Sequence, residues 1–143
     1  MVLRLENLKA RHIIQYPSEV AKLKASMQDI ILYGHWGAPN PWKVATILEE
    51  LALPYQLKLV EFADVKNPGF IKINPNGRLP AIIDPNTGMT LWESGAIVLY
   101  LVETYDKQGL VSFAEGPEKF LCQQWLMFQV SGKFSEIPEG VSG

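Results

Sequence analysis

NPNGRLPAIIDPNTGMTLWESGAIVLYL, residues 74–101, holds a turn, two strands and the start of a helix in unbroken succession. NPNGR is a turn by composition. LPAIID and MTLW read as strands, and DPNTG between them supplies the proline and glycine that suit a tight hairpin. From Glu93 on, SGAIVLYLVETY carries Ala96, Ile97, Leu99, Tyr100, Leu101 and Val102, which would make a helix apolar nearly all round. Such a helix is expected to be buried. A hairpin and a buried helix therefore close a folding unit near Asp106.

Upstream, Ile30 to Tyr33 in DIILYG form the short apolar run of a buried parallel strand. GAPNP follows, and then Trp42, Val44, Ala45, Ile47, Leu48 and Leu51 recur at mixed three and four spacing. This predicts a helix from Pro41 to about Ala52, with the proline in the first turn, where its missing N–H is no loss. YQLKLVEF alternates as a second strand, and VKNPGFIKI offers only a short or irregular helix. The order is βαβ, a linker helix, then ββα, over about residues 30 to 106. This is the α/β layout of thioredoxin, with one mixed sheet and a right-handed crossover in its first half. Before it, Ser18 can cap a short helix carrying Val20, Leu23 and Met27. The expected boundaries are an N-terminal extension 1–28, the thioredoxin-like domain 29–108 and a helical segment 116–143.

Bulk properties narrow the function. The 143 residues are 48% hydrophobic and 20% charged, which suits a packed core rather than disorder. A formal net charge of -2 leaves no basic field for a phosphate backbone, so nucleic acid is not an expected partner. Cys122 is the single cysteine, which excludes an internal disulfide, a CxxC redox pair and a cysteine-rich metal cluster; with His12 and His35 alone, a zinc site would need carboxylates, and no metal is expected. No apolar run approaches the ~20 residues of a membrane-spanning helix, and no secretory pattern is present. A cytosolic, membrane-free chain is the expectation. An organelle presequence is the alternative suggested by Arg4, Lys9 and Arg11, but Glu6 interrupts it and residues 1–16 lack serine.

NPNGRLPAIID followed by LWESGAIVLYL resembles the glutathione-binding domain of glutathione S-transferases, and APNPWKVATILEEL resembles the fungal branch that includes the yeast nitrogen-regulatory relative. The likeness covers roughly residues 30 to 131. It implies a cis bond at Leu79-Pro80, which leaves the Leu79 backbone free to pair with a tripeptide as an added strand would. It also implies that Ser94 donates to the γ-glutamyl carboxylate while Glu93 accepts from the neighbouring amine, at a helix N-terminus that favours an anion. The glutathione sulfur is implied near Asn40, which can donate a hydrogen bond but is neither nucleophile nor base. Lys66 and Arg78 are weaker candidates for the glycyl end.

Plainer readings stand beside these. Pro80 could be an ordinary trans proline opening an edge strand, Asn40 and the Glu93–Ser94 pair could be helix caps, and Lys66 and Arg78 could be solvated surface. His35 and Trp36 are expected to pack, and Cys122 to be a buried small hydrophobe. Lowering a thiol pKa from ~8.5 to ~6.5 at a helix N-terminus yields, after the accompanying loss of nucleophilicity, a net gain of only ~2.5 to 4-fold at pH 7. Larger acceleration must come from positioning the electrophile.

The resemblance therefore implies a glutathione transferase-like homodimer that conjugates glutathione to a small apolar electrophile, in detoxification or a biosynthetic tailoring step. The alternative is a non-catalytic glutathione-binding regulatory module. A disulfide reductase is disfavoured because no cysteine lies near the first helix. PEKFLCQQWLMFQ resembles the first helix of the family's all-helical second domain, with Phe120, Leu121, Trp125, Leu126, Phe128 and Val130 on several sides. The remainder of that domain is not in this sequence, so a vestigial electrophile site is expected.

Overall fold

A computed structural model describes residues 26–132. The helix expected behind Ser18 and most of the aperiodic tail lie outside the described residues. In chain order the elements are β1 Ile30–Gly34, α1 Pro39–Glu50, β2 Tyr55–Leu59, α2 Pro68–Ile71, β3 Ala81–Asp84, β4 Met89–Trp92, α3 Ser94–Tyr105 and α4 Pro117–Gly132. The sheet order is β2-β1-β3-β4, with β1 and β2 parallel and the other two pairings antiparallel. This is the thioredoxin-like arrangement of mixed α/β type, followed by the beginning of a helical segment.

Alternation along the strands sorts two cores onto opposite faces. Ile30 and Leu32 of β1 and Ile82 of β3 meet Val44, Leu48 and Leu51 of α1 and Ile97 and Leu101 of α3. All are essentially inaccessible, and burying each such aliphatic side chain stabilises the fold by about 1.5–3 kcal/mol. Residues of opposite parity, Tyr33 and Ala81, pack with Val65 and Phe70 around α2. The sheet thus has α1 and α3 on one side and the four-residue α2 on the other.

Two buried carboxylates fasten the connections. Asp84 accepts hydrogen bonds from the hydroxyls of Tyr100 (2.6 Å) and Tyr105 (2.5 Å) and from the backbone N–H of Asn86 (2.9 Å), tying the β3–β4 turn to α3. Burial opposes its ionisation, but these donors outweigh burial and hold the carboxyl below the usual range. Burial and the Asp84 carboxylate together push the Tyr105 hydroxyl far above the ordinary tyrosine value. Asp106 works likewise: burial opposes its charge, but the Ser112 hydroxyl and the N–H groups of Val111 and Leu110 lower its pKa while turning the chain out of α3.

Three expectations need correction. The first helix begins at Pro39, not Pro41, because prolines at its first and third positions both fit a turn that has no intrahelical acceptors for N–H groups. α3 is not buried on every side: Ala96 is exposed and Leu99, Tyr100 and Val102 are partly so, since only one face meets the sheet. Cys122 is exposed rather than buried. Among the described residues α4 packs mainly along α3, leaving Phe120, Trp125 and Phe128 at 69%, 66% and 50% exposure.

Candidate functional site

Strand register brings the three sequence motifs to one end of the sheet. Tyr33, next to the last residue of β1, pairs with Ala81 at the start of β3, and Ala81 pairs with Trp92 at the end of β4. The loop into α1, the Leu79-Pro80 step and the Glu93–Ser94 start of α3 all leave the sheet there. Gly34 lets β1 run beneath the first turn of α1, because a Cβ at this position would stand 3.0 Å from Pro41 Cβ and 3.2 Å from Leu57 Cδ1.

The connecting loop is held by its own side chains. His35 Nδ1 accepts the Gly37 N–H at 3.0 Å, and the His35 ring lies 4.0 Å from that of Phe62. Trp42 Nε1 donates to the Trp36 carbonyl at 3.1 Å while the two indoles lie 5.2 Å apart. The packing expected of His35 holds; the Trp36 ring, although stacked, is 66% exposed.

Asn40 lies in the first turn of α1, at its second position, rather than before the helix. The helix cap is Ala38, with no side-chain cap bond, so Asn40 is not a cap. Its neighbours Pro39 and Pro41 have no N–H. Of the first three helical positions, Asn40 alone therefore has a backbone N–H, and its side-chain amide adds further donors. Neither group is engaged by another described residue.

Leu79-Pro80 is a cis peptide, as the resemblance implied. No described residue hydrogen-bonds to the Leu79 backbone. The loop before it is braced by Asn74, 1% exposed, whose side chain donates to the Arg78 carbonyl at 2.7 Å and accepts the Asn76 N–H at 2.9 Å. Lys66 Nζ donates to the Asn76 carbonyl at 2.8 Å and packs beside Gly77, whose φ of +59° suits glycine. Lys66 and Arg78 are both exposed.

Glu93 occupies the cap position of α3 with a φ of 73°, in a region that L residues rarely adopt. Neither Glu93 nor Ser94 makes a side-chain cap bond. Ser94 is 4% exposed, and its Oγ accepts a hydrogen bond from Lys43 Nζ at 3.0 Å. Lys43 was absent from the sequence candidates. It stands one turn after Asn40 on the same face of α1, a charged residue among Trp42, Val44 and Ala45, and that spacing was the available signal. Burial pulls its pKa below the ordinary lysine value, and the Glu93 carboxylate opposes this. The site thus combines an anion, a cation, unpaired backbone groups and an amide. Among the described residues no group of His, Cys, Asp or Glu could hold a metal ion.

Residues 28–103 match the family "Glutathione S-transferase, N-terminal domain", and the chain belongs to it. It is 53% identical over 109 residues to the "Glutathione S-transferase-like protein OpS6" of Beauveria bassiana, covering 76% of this chain and 50% of that protein. The glutathione transferase URE2P6 of Phanerochaete chrysosporium, solved in complex with oxidized glutathione, superposes with a TM-score of 0.71 at 47% identity, over 78% of this chain and 52% of that one. Ure2p5 of the same fungus, cocrystallized with 1-(S-glutathionyl)-2,4-dinitrobenzene, gives 0.65 and 42% over 73% of this chain and 46% of that one. The chain spans about half the length of the curated relatives it matches.

Proposed function

We propose that this protein binds glutathione at the sheet end shared by Asn40, Leu79 and Ser94 and activates its thiol for attack on a small apolar electrophile. Leu79, beside Pro80, pairs with the peptide backbone, Ser94 and Glu93 take the carboxylate and amine of the γ-glutamyl end, and Lys66 and Arg78 face the glycyl carboxylate. Asn40 stabilises the thiolate; it forms no covalent intermediate and removes no proton. Glutathione is a co-substrate and no metal takes part. The observation that carries this reading is the convergence of unpaired donors on one sheet end in a chain of this family. Calorimetry with reduced glutathione, followed by turnover with 1-chloro-2,4-dinitrobenzene, tests it. A folded protein that shows no heat of binding at millimolar glutathione would end the proposal.

A second reading, a non-catalytic glutathione-binding regulatory module, is favoured by one feature. The large apolar groove, ≈ 700 Å³, runs between α3 and α4 past Val98, Val102, Phe113 and Trp125, beside the C-terminal half of α3 rather than at Ser94. Binding without turnover against a panel of electrophiles selects this reading.

The reading extends to a homodimer, supported by the exposed Phe120, Trp125 and Phe128 of α4. Sedimentation showing a stable dilute monomer would remove that part. It also extends to a cytosolic setting, in detoxification or a biosynthetic tailoring step. No described helix is long and apolar enough to cross a membrane.

A further inference from the structure

The geometry points to Lys43 as a positioning residue for the α-amino-acid head of the ligand: its ammonium orients the Ser94 hydroxyl so that the hydroxyl proton faces the incoming carboxylate. The inference rests on the glutathione-binding reading above and assigns a role to a residue that lies within APNPWKVATILEEL but was not among the site candidates.

A serine hydroxyl has one proton to donate and two lone pairs to accept with, whereas an ammonium can only donate. In the 3.0 Å contact Lys43 Nζ is therefore the donor and Ser94 Oγ the acceptor. The hydroxyl proton must point away from Nζ. Ser94 is 4% exposed, makes no cap bond, and donates to no described residue. A buried hydroxyl with an unspent proton is costly unless a ligand accepts it. It stands at the first position of a twelve-residue helix, where free N–H groups and the dipole also favour an anion.

Accepting a bond from a cation polarises the hydroxyl and makes it a better donor. Lys43 also balances the exposed Glu93 carboxylate, which would otherwise repel an anion at this helix start. The pair leaves a neutral surface divided in two, with Glu93 for an ammonium and Ser94 with Lys43 for a carboxylate. A zwitterionic head group matches that division.

The test uses the full chain, calorimetry, and variants K43Q, K43R, S94A and K43Q/S94A. Two ligands are compared: reduced glutathione, and the analogue with hydrogen in place of the γ-glutamyl α-carboxylate, measured by competition. K43Q should weaken glutathione about 5- to 20-fold, the range for a charge-assisted bond discounted for partial exposure. K43R should recover most of this. K43Q should leave the analogue within about 2-fold of wild type, and adding K43Q to S94A should cost little beyond S94A alone. K43Q binding glutathione as wild type does, or weakening both ligands alike, overturns the inference. Failure of wild type to bind glutathione instead overturns the parent reading, so the two failures are distinguishable. Thermal melts of each variant separate lost binding from lost folding.

Discussion

Replacing Asn40 with alanine deletes the side-chain amide while leaving its backbone N–H and the helix intact, since no cap bond depends on the side chain. Because Pro39 and Pro41 contribute no donors, the amide is a large share of what this turn can offer a thiolate. A charge-assisted bond at a half-buried position, discounted for solvent, is worth ~1.4 kcal/mol, which is ~1 pKa unit of the bound thiol. For a bound thiol moving from ~6.5 to ~7.5, the thiolate fraction at pH 7 falls from ~76% to ~24%, about 3-fold. The more basic thiolate is ~2.5 to 3-fold more nucleophilic, so the rate at pH 7 hardly changes. At pH 5.5 the fraction falls ~9-fold and the net rate ~3 to 4-fold. The assay is the ultraviolet absorbance of the bound thiolate against pH, with turnover measured at both pH values. An unshifted titration refutes the role given to Asn40. A loss of ~100-fold at pH 7 would also refute this argument, because electrostatics of this size cannot produce it and positioning would be the cause.

Asp84→Asn should be severe, because the two carboxylate oxygens accept from Tyr100, Tyr105 and both nitrogens of Asn86, and an amide replaces one of those acceptor oxygens by an NH2 group that can only donate. A loss of ~2–4 kcal/mol, or ~8–16 °C in Tm, is expected; a melt within ~2 °C of wild type would show that the network contributes little. The pH dependence follows from the directions of the shifts. Asp84 and Asp106 sit below their unfolded values, so their stabilisation is present above pH ~4 and disappears as pH falls through their folded values. Tyr105 sits above its unfolded value, so its contribution is complete below pH ~10 and declines as pH rises beyond it. Melting temperatures across both limbs check this, and Asp84→Asn should flatten the acid limb. Gly34→Ala should cost ~1–3 kcal/mol and weaken glutathione binding, since the added methyl drives against Pro41 beside Asn40; unchanged stability and affinity would show that the turn yields freely.

Periodicity and turn chemistry are local properties, and they marked out every element from β1 to α3 in chain order. The DPNTG turn folded as read, with Gly88 at a φ of +75°. Helix boundaries and burial were less legible. Pro39 belonged to α1 although the apolar spacing and a first-turn proline placed the start at Pro41, and Cys122 in an apolar stretch stayed exposed because burial depends on neighbours that periodicity cannot supply.

For the site, amino-acid sequence alone determined which chemistry was available: an amide between prolines, an LP step, and an ES pair opening a helix. Tertiary structure decided how those groups meet. The β1–β3–β4 register gathers three separated segments at one sheet end, and packing of α1 on α3 turns Lys43 onto Ser94, residues 51 positions apart. A hydrogen bond across that separation is invisible to any local pattern, because its geometry exists only once two helices share a core.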